Sequence, residues 1–238
     1  MQKDNSSSSL GSNRVDYAVS ALKGLLGIAP VAGPILAEVI GTIIPNQRID
    51  RLAAFVEKLA AEFVAEGRVL AVEHFSRQEQ IDLFEEGALQ SSRALSTERL
   101  EYIAKIVTFG LSGELKAQIE AKRLLNAIRT LDDDQLVILS SYLRRNVVDD
   151  EFNERHVNIL YPPRYHGEDD FDGDTTFEFA RSGLHALGLI AHHFVRPRKG
   201  EPPEFDERTG MLKSSSTMLT PLGRLLLRRI GLAGQDDY

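Results

Sequence analysis

The run GLLGIAPVAGPILAEVIGTIIP, residues 24–45, constrains this chain more than any other stretch, because it holds no Lys or Arg and only one ionisable side chain, Glu38. A membrane-spanning helix needs about 20 mainly apolar residues in one unbroken helix. Residues 25–44 have that length. Pro30 and Pro34 interrupt the hydrogen-bond ladder, however; Gly24, Gly27, Gly33 and Gly41 weaken it, and Glu38 sits at mid-span, where a charge is costly. The run therefore predicts two short apolar helices around a Pro-Gly corner, one beginning near Arg14 and ending by Gly27 or just before Pro30, the other spanning 34–44. Ala29, Ala32, Gly33, Ala37 and Gly41 suit close helix packing. The residues that would form an interface or a membrane segment are Leu25, Leu26, Ile28, Val31, Ile35, Leu36, Val39, Ile40, Ile43 and Ile44. Such a hairpin is expected first as the buried centre of a helical bundle, second as an interface with a partner or a second copy, and third as a segment released into a bilayer.

At 238 residues the chain has room for two domains, and with 42% hydrophobic and 26% charged residues it has the composition of an ordinary soluble protein. It contains no cysteine, which removes disulfides, thiolate nucleophiles and Cys-based metal sites, and makes the cytoplasm the simplest home. Residues 1–13 are polar and Ser-rich, read as a disordered tail without an export signal. The 28 basic and 35 acidic residues give a net charge of −7, which opposes attraction to DNA or anionic lipid unless the basic residues cluster.

Beyond Pro45 the periodicity is helical. Ile49, Leu52, Phe55, Val56, Leu59 and Phe63 form one stripe, with Arg51, Glu57, Lys58 and Glu62 elsewhere. Ser76 and Glu79 fit a capping box ahead of Ile81, Leu83 and Phe84. A helix over 97–111 carries Leu100, Ile103, Ile106, Val107 and Leu111, and the next has Ile119, Leu124, Leu125 and Ile128 as its core side. Asp132 with Gln135 can cap another, bearing Leu136, Leu139 and Leu143. From Asn146 the texture becomes irregular, with one short helix expected; then come a helix over 175–187, a β-prone LIAHHFV, a polar loop, a second β-prone MLKSSSTML and a closing helix PLGRLLLRRI.

This closing order is specific. Leu184, Leu187, Gly188, Leu189 and Ile190, followed after the strand pair by Leu219, Thr220, Gly223, Leu226 and Leu227, resemble the end of a winged-helix domain, where a recognition helix is followed by a two-stranded wing and a last helix. The resemblance covers residues 115–232, the earlier helices entering by order alone. Residue chemistry gives the same picture: Gly188 can end a helix in the left-handed conformation, Ile190 and Phe194 can point inward, and Thr220 can cap a helix that starts with Pro221. The resemblance implies a recognition helix at DTTFEFARSGLHALG, but its charges are Asp174, Glu178 and Arg181, and GEDDFDGD, which runs into it at Asp174, adds four more carboxylates. A groove-reading helix instead presents Arg, Lys, Asn, Gln or Ser. Arg196, Arg198, Lys199 and Lys213 could make a basic wing, though Glu201, Glu204, Asp206 and Glu207 share its loop. Arg224, Arg228 and Arg229 line one edge of the last helix beside the stripe Leu222, Leu225, Leu226 and Ile230.

Other patterns point to no chemistry. In EDDFDGDTTFEF, Glu168, Asp170, Asp172 and Asp174 fall at calcium-loop positions, but the twelfth position is Phe179 instead of the bidentate Glu, so the stretch reads as an acidic loop capping the next helix through Asp174. Of His185, His192 and His193, alternation along a strand lets at most two meet. No nucleophile-elbow, zinc-protease, Walker or dinucleotide phrase occurs.

The expectation is therefore a mainly α chain, bacterial by the style of its sequence: an N-terminal helical domain over 14–112, then a winged-helix-like domain over 113–238 with a small two-stranded β wing. It is expected to be a non-enzymatic regulatory or adaptor protein without cofactor or metal, working through a protein partner or self-association. The alternatives are a DNA-binding regulator acting through the wing and a membrane-active effector that releases the 24–45 hairpin.

Overall fold

A computed structural model describes residues 48–143, 150–161, 171–197, 199–207, 210 and 212–234. The apolar run with its ten candidate residues from Leu25 to Ile44, the Ser-rich tail and Arg198 lie outside the described residues. The described chain is mainly helical with one two-stranded antiparallel sheet, and it divides into two compact units between Arg129 and Thr130.

In the first unit, α1 (Ile49–Ala65) buries Leu52, Phe55, Val56, Leu59 and Phe63, as its periodicity requires. This stripe packs on α2 (Gln78–Arg93) and α3 (Thr97–Ser112), which contribute Leu83 and Phe84, and Leu100, Ile103, Ile106, Val107 and Leu111. Phe84 is the aromatic centre, 5.9 Å from Phe55 and 5.3 Å edge-on from Phe75, which lies in a 3₁₀ turn at Val72–Phe75. Small residues set the helix spacing: a Cβ on Gly87 would lie 2.5 Å from Val107 of α3, and one on Gly110 would lie 2.7 Å from the Ala121 methyl of α4 (Leu115–Thr130). Ser96 caps α3 by accepting from the Arg99 backbone N–H at 3.3 Å.

Polar contacts tie α4 to the first unit. Gln90 Nε2 donates to the Leu125 carbonyl at 3.1 Å, Arg99 Nη1 donates to the Ile128 carbonyl at 2.8 Å, and Lys122 pairs with Asp82 at 3.4 Å. The Arg99 contact places a cation at a helix C-terminus, where the exposed carbonyls favour one. The expected domain limit at 112/113 would have put this helix with the C-terminal part instead. Two local expectations shift here. The cap of α2 is served by Gln80, not Glu79: its Oε1 accepts from the Arg77 backbone N–H at 3.1 Å and from the Ser76 hydroxyl at 3.4 Å. On α4 the inner face turns toward Gln118, Ala121, Leu124, Leu125 and Ile128, which leaves Ile119 47% exposed.

The second unit opens with α5 (Asp133–Leu143), and its expected capping box is present. Gln135 N–H donates to Asp132 Oδ1 at 2.7 Å, and the Asp132 N–H donates to Gln135 Oε1 at 3.0 Å. The Gln135 amide also donates to the Ala180 carbonyl at 3.1 Å, docking α5 on α8. Two short helices, α6 (Asp150–Arg155) and α7 (Val157–Leu160), stand where one was expected. Next comes α8 (Phe171–Ala186), which starts four residues before the expected Thr175. Asp174 is thus inside the first turn, not a cap, and helical backbone over 171–179 excludes a calcium loop.

Helix α8 ends at Gly188 with φ +67°, the left-handed turn expected there, and the Leu189 N–H reaches back to the Leu184 carbonyl at 3.0 Å. Strand β1 (Ile190–Phe194) then pairs antiparallel with β2 (Ser214–Leu219), from Ile190 opposite Leu219 to Phe194 opposite Ser214, with an irregularity between His193 and Phe194. Thr220 caps α9 (Pro221–Arg229), accepting from the Gly223 N–H at 3.1 Å. Leu136, Ile138, Leu139, Leu184, Leu189, Ile190, Leu219, Leu226, Leu227 and Ile230 form the core of this unit. Ile190 points inward as expected, but Phe194 does not: it is 43% exposed, because the wing has run past its packing partners by that residue. Leu222 is likewise exposed, and Leu227 takes its expected place in the buried stripe of α9.

Candidate interaction surface

The base of the wing is a tight corner. The Thr220 hydroxyl donates toward the Gly188 and Leu189 carbonyls at 2.7 and 3.0 Å, and the Thr220 N–H donates to Leu189 O at 3.0 Å. A Cβ on Gly223 would collide with that same Leu189 carbonyl. The two phrases singled out in the sequence, Leu-Gly-Leu and Leu-Thr-x-x-Gly, therefore meet at one carbonyl, and the corner sets how the wing leaves α8.

Above the corner, α8 and the wing face each other through polar groups. Arg181 turns toward the sheet: it donates to Glu178 at 2.8 Å and to the Thr217 hydroxyl at 3.3 Å, and lies 5.8 Å from the Phe177 ring centre. Burial opposes its charge, but hydrogen bonds and charge interactions with Tyr142 of α5 and with Glu178 outweigh this, so its pKa lies above the ordinary value. One turn on, the His185 ring stacks on His192 with centres 4.1 Å apart and planes 27° from parallel. Thr217 Oγ1 lies 3.3 Å from His192 Nδ1. Burial first, then the neighbouring His192 and Arg181, hold the His185 pKa below the usual histidine value. Nearly parallel imidazoles do not aim their in-plane lone pairs at a common point. Among the described residues, no group of three or more His, Asp or Glu could hold a metal ion.

The outward side of the same elements is apolar and acidic. Phe179 is 77% exposed on α8, beside exposed Thr176, Glu178 and Ser182. On the wing, Phe194, Val195, Phe205, Leu212 and Met218 are exposed, and Phe205, in the loop between the strands, stands directly opposite Leu212 in an isolated antiparallel bridge. Of the expected cations, Arg196 and Lys199 are exposed on the wing, whereas Lys213 pairs with Glu204 at 2.8 Å. Arg224 and Arg228 are exposed and Arg229 is half-buried on α9, which leaves from the far end of β2. The cations thus fall into two groups, one on the wing and one on α9. Apart from Phe194, expected to face inward, and Phe179, weighed only as a calcium-loop position, these exposed apolar residues were not singled out in the sequence. Their signal was weak: Phe205 stands between Glu204 and Asp206, whereas Leu212 and Met218 adjoin the apolar Met211 and Leu219.

Comparison of the chain with protein-family models, with characterised proteins and with solved structures returned no match. Among the described residues, no helix is long and apolar enough to cross a membrane.

Proposed function

We propose that this chain is a non-enzymatic regulatory or adaptor protein whose C-terminal part, a winged-helix module, binds a protein partner through the outward face of α8 and the wing. The observation that carries this reading is Phe179, 77% exposed on the helix that would enter the major groove if the module bound DNA. The one cation of that helix among its described side chains, Arg181, is directed at Glu178 and Thr217 and has no free fork for a base or a phosphate. An exposed aromatic on a rigid helix is the usual anchor of a protein interface, and it adds little to binding a phosphate backbone.

The test compares the full chain with Phe179→Asp and with the charge reversal Arg196→Glu/Lys199→Glu, in co-purification from native cells and in duplex-DNA binding at low and moderate salt. A specific partner, or self-association seen by light scattering, that is lost with Phe179→Asp and kept with the charge reversal supports the reading. Salt-sensitive duplex binding that is lost with the charge reversal and kept with Phe179→Asp replaces it with the DNA-binding alternative, for which exposed Arg196 and Lys199 are the supporting observation.

A further inference from the structure

The packing of α8 against the wing contains one imidazole whose covered ring nitrogen has no acceptor for an added proton. His185, in the last turn of α8, is hydrogen-bonded to the backbone of Ile190, the first residue of β1. Its Nε2 is buried and has no hydrogen-bond partner among the described residues, so the bond to Ile190 leaves from Nδ1. The neutral ring thus fits its surroundings: one N–H is satisfied, one lone pair is tucked away, and one face lies on His192.

Protonation would add an N–H at Nε2, where every neighbouring element offers the wrong group. Helix α8 presents Arg181, already cationic, and Glu178, whose carboxylate is engaged by Arg181 at 2.8 Å. Strand β1 presents His192, stacked face to face and therefore unable to accept in the plane of the ring. From β2 comes the Thr217 hydroxyl, which lies between Arg181 and His192, and from α5 comes Tyr142, bonded to Arg181. A buried donor with no acceptor is costly, and a second positive charge beside Arg181 adds to the cost. The charged ring is relieved by reaching water, and because the ring of half-buried His185 lies on His192 of β1, swinging Nε2 out to solvent breaks the helix–strand contact.

We propose that the α8–β1 junction is a proton-operated latch: neutral His185 holds the wing against α8, and protonated His185 releases it. The wing would then be placed for partner binding at neutral pH and set loose in mildly acidic surroundings. The latch stands on the junction alone. Its consequence for docking rests on the interface reading given above.

The experiment is NMR on the full chain, wild type and His185→Asn, between pH 7.5 and 5.0. Asparagine keeps a donor for the Ile190 carbonyl and cannot be protonated. In the wild type, amide protection at Thr220 and Met218, corrected for intrinsic exchange, is expected to fall at least about tenfold across this range, because the opened state takes up the proton that the closed state excludes. His185→Asn is expected to hold within about twofold by the same reasoning. Flat protection in the wild type, or an equal loss in the variant, overturns the latch. Should the variant not fold, the wild-type His185 Cε1 proton decides: a midpoint below the ordinary value of about 6.5 supports the proposal, and one at or above it overturns it. No partner enters these measurements, so a failed latch leaves the interface reading standing, and failure of Phe179→Asp to affect binding leaves the latch standing.

Discussion

Replacing Gly223 with alanine sets two effects against each other, and the wing corner decides between them. Gly223 is in the first turn of α9, where alanine is worth about 0.5–1 kcal/mol in helix propensity. Against that gain, the new Cβ would run into the Leu189 carbonyl oxygen, lie 3.2 Å from its carbon and approach Leu219 Cδ1 to 2.7 Å. Backbone is the obstacle, so no side-chain rotation clears it, and α9 must back away from the α8–β1 turn. That movement strains the Thr220 cap and its hydrogen bonds to Leu189 O. Losing the cap costs about 0.5–2 kcal/mol and overpacking about 1–3 kcal/mol, for a net destabilisation of about 0.5–4.5 kcal/mol after the propensity gain, centred on about 2.5 kcal/mol. Urea denaturation followed by circular dichroism measures the sum, and hydrogen exchange over residues 188–230 localises it. Leu222→Ala, on the exposed side of the same helix, is the control and is expected to stay within about 0.5 kcal/mol of wild type. A Gly223→Ala protein as stable as wild type, or more so, would mean that helix propensity wins and that the corner is not tight.

Three further outcomes follow from the packing. Phe84→Ala removes the ring shared by Phe55 and Phe75 and is expected to destabilise the first unit by about 3–5 kcal/mol, read by urea denaturation. Asp132→Ala, which deletes half of the α5 capping box, is expected to cost the second unit about 0.5–2 kcal/mol in the same assay. For pH, the His185 pKa is depressed in the folded state, so the unfolded chain binds more protons there: the stability this residue confers is complete above about 6.5 and is lost as pH falls from there through the folded value. Thermal melts at stepped pH are expected to show that loss for wild type and a flatter profile for His185→Asn.

What could be read from the sequence was what neighbouring residues decide among themselves. The α1 stripe was legible because a helix repeats its inner face every 3.6 residues, and five buried side chains from Leu52 to Phe63 follow that repeat. The Asp132–Gln135 box and the Thr220–Pro221 start were legible because capping involves only three or four consecutive residues. Glu79 and Gln80 could each have closed the α2 cap, and the extended backbone of Arg77 made the choice. Gln118 displaced Ile119 from the inner face of α4 because the Ala121–Gly110 approach fixes the rotation of that helix, which hydropathy does not encode. The candidate surface was least legible. That Phe194 faces outward, and that His185 lies on His192, depends on where a strand leaves a helix about its axis, and this is set by contacts 20 or more residues away, such as that between Leu189 and Thr220.

The clamp at the base of the wing also frees its tip. Leu189 and Thr220 fasten the two strands where they leave the unit, and Val195 and Glu204 are both bonded to the Lys213 backbone, so the residues between those two need only close a loop whose ends are already held together. The entropy of closing such a loop grows with the logarithm of its length, about 0.6 kcal/mol for each doubling. Insertions between Gly200 and Glu204 should therefore be cheap, which gives protein engineers a site for grafting an epitope or a reporter and gives evolution a segment whose length and chemistry can drift while the fold beneath it stays put.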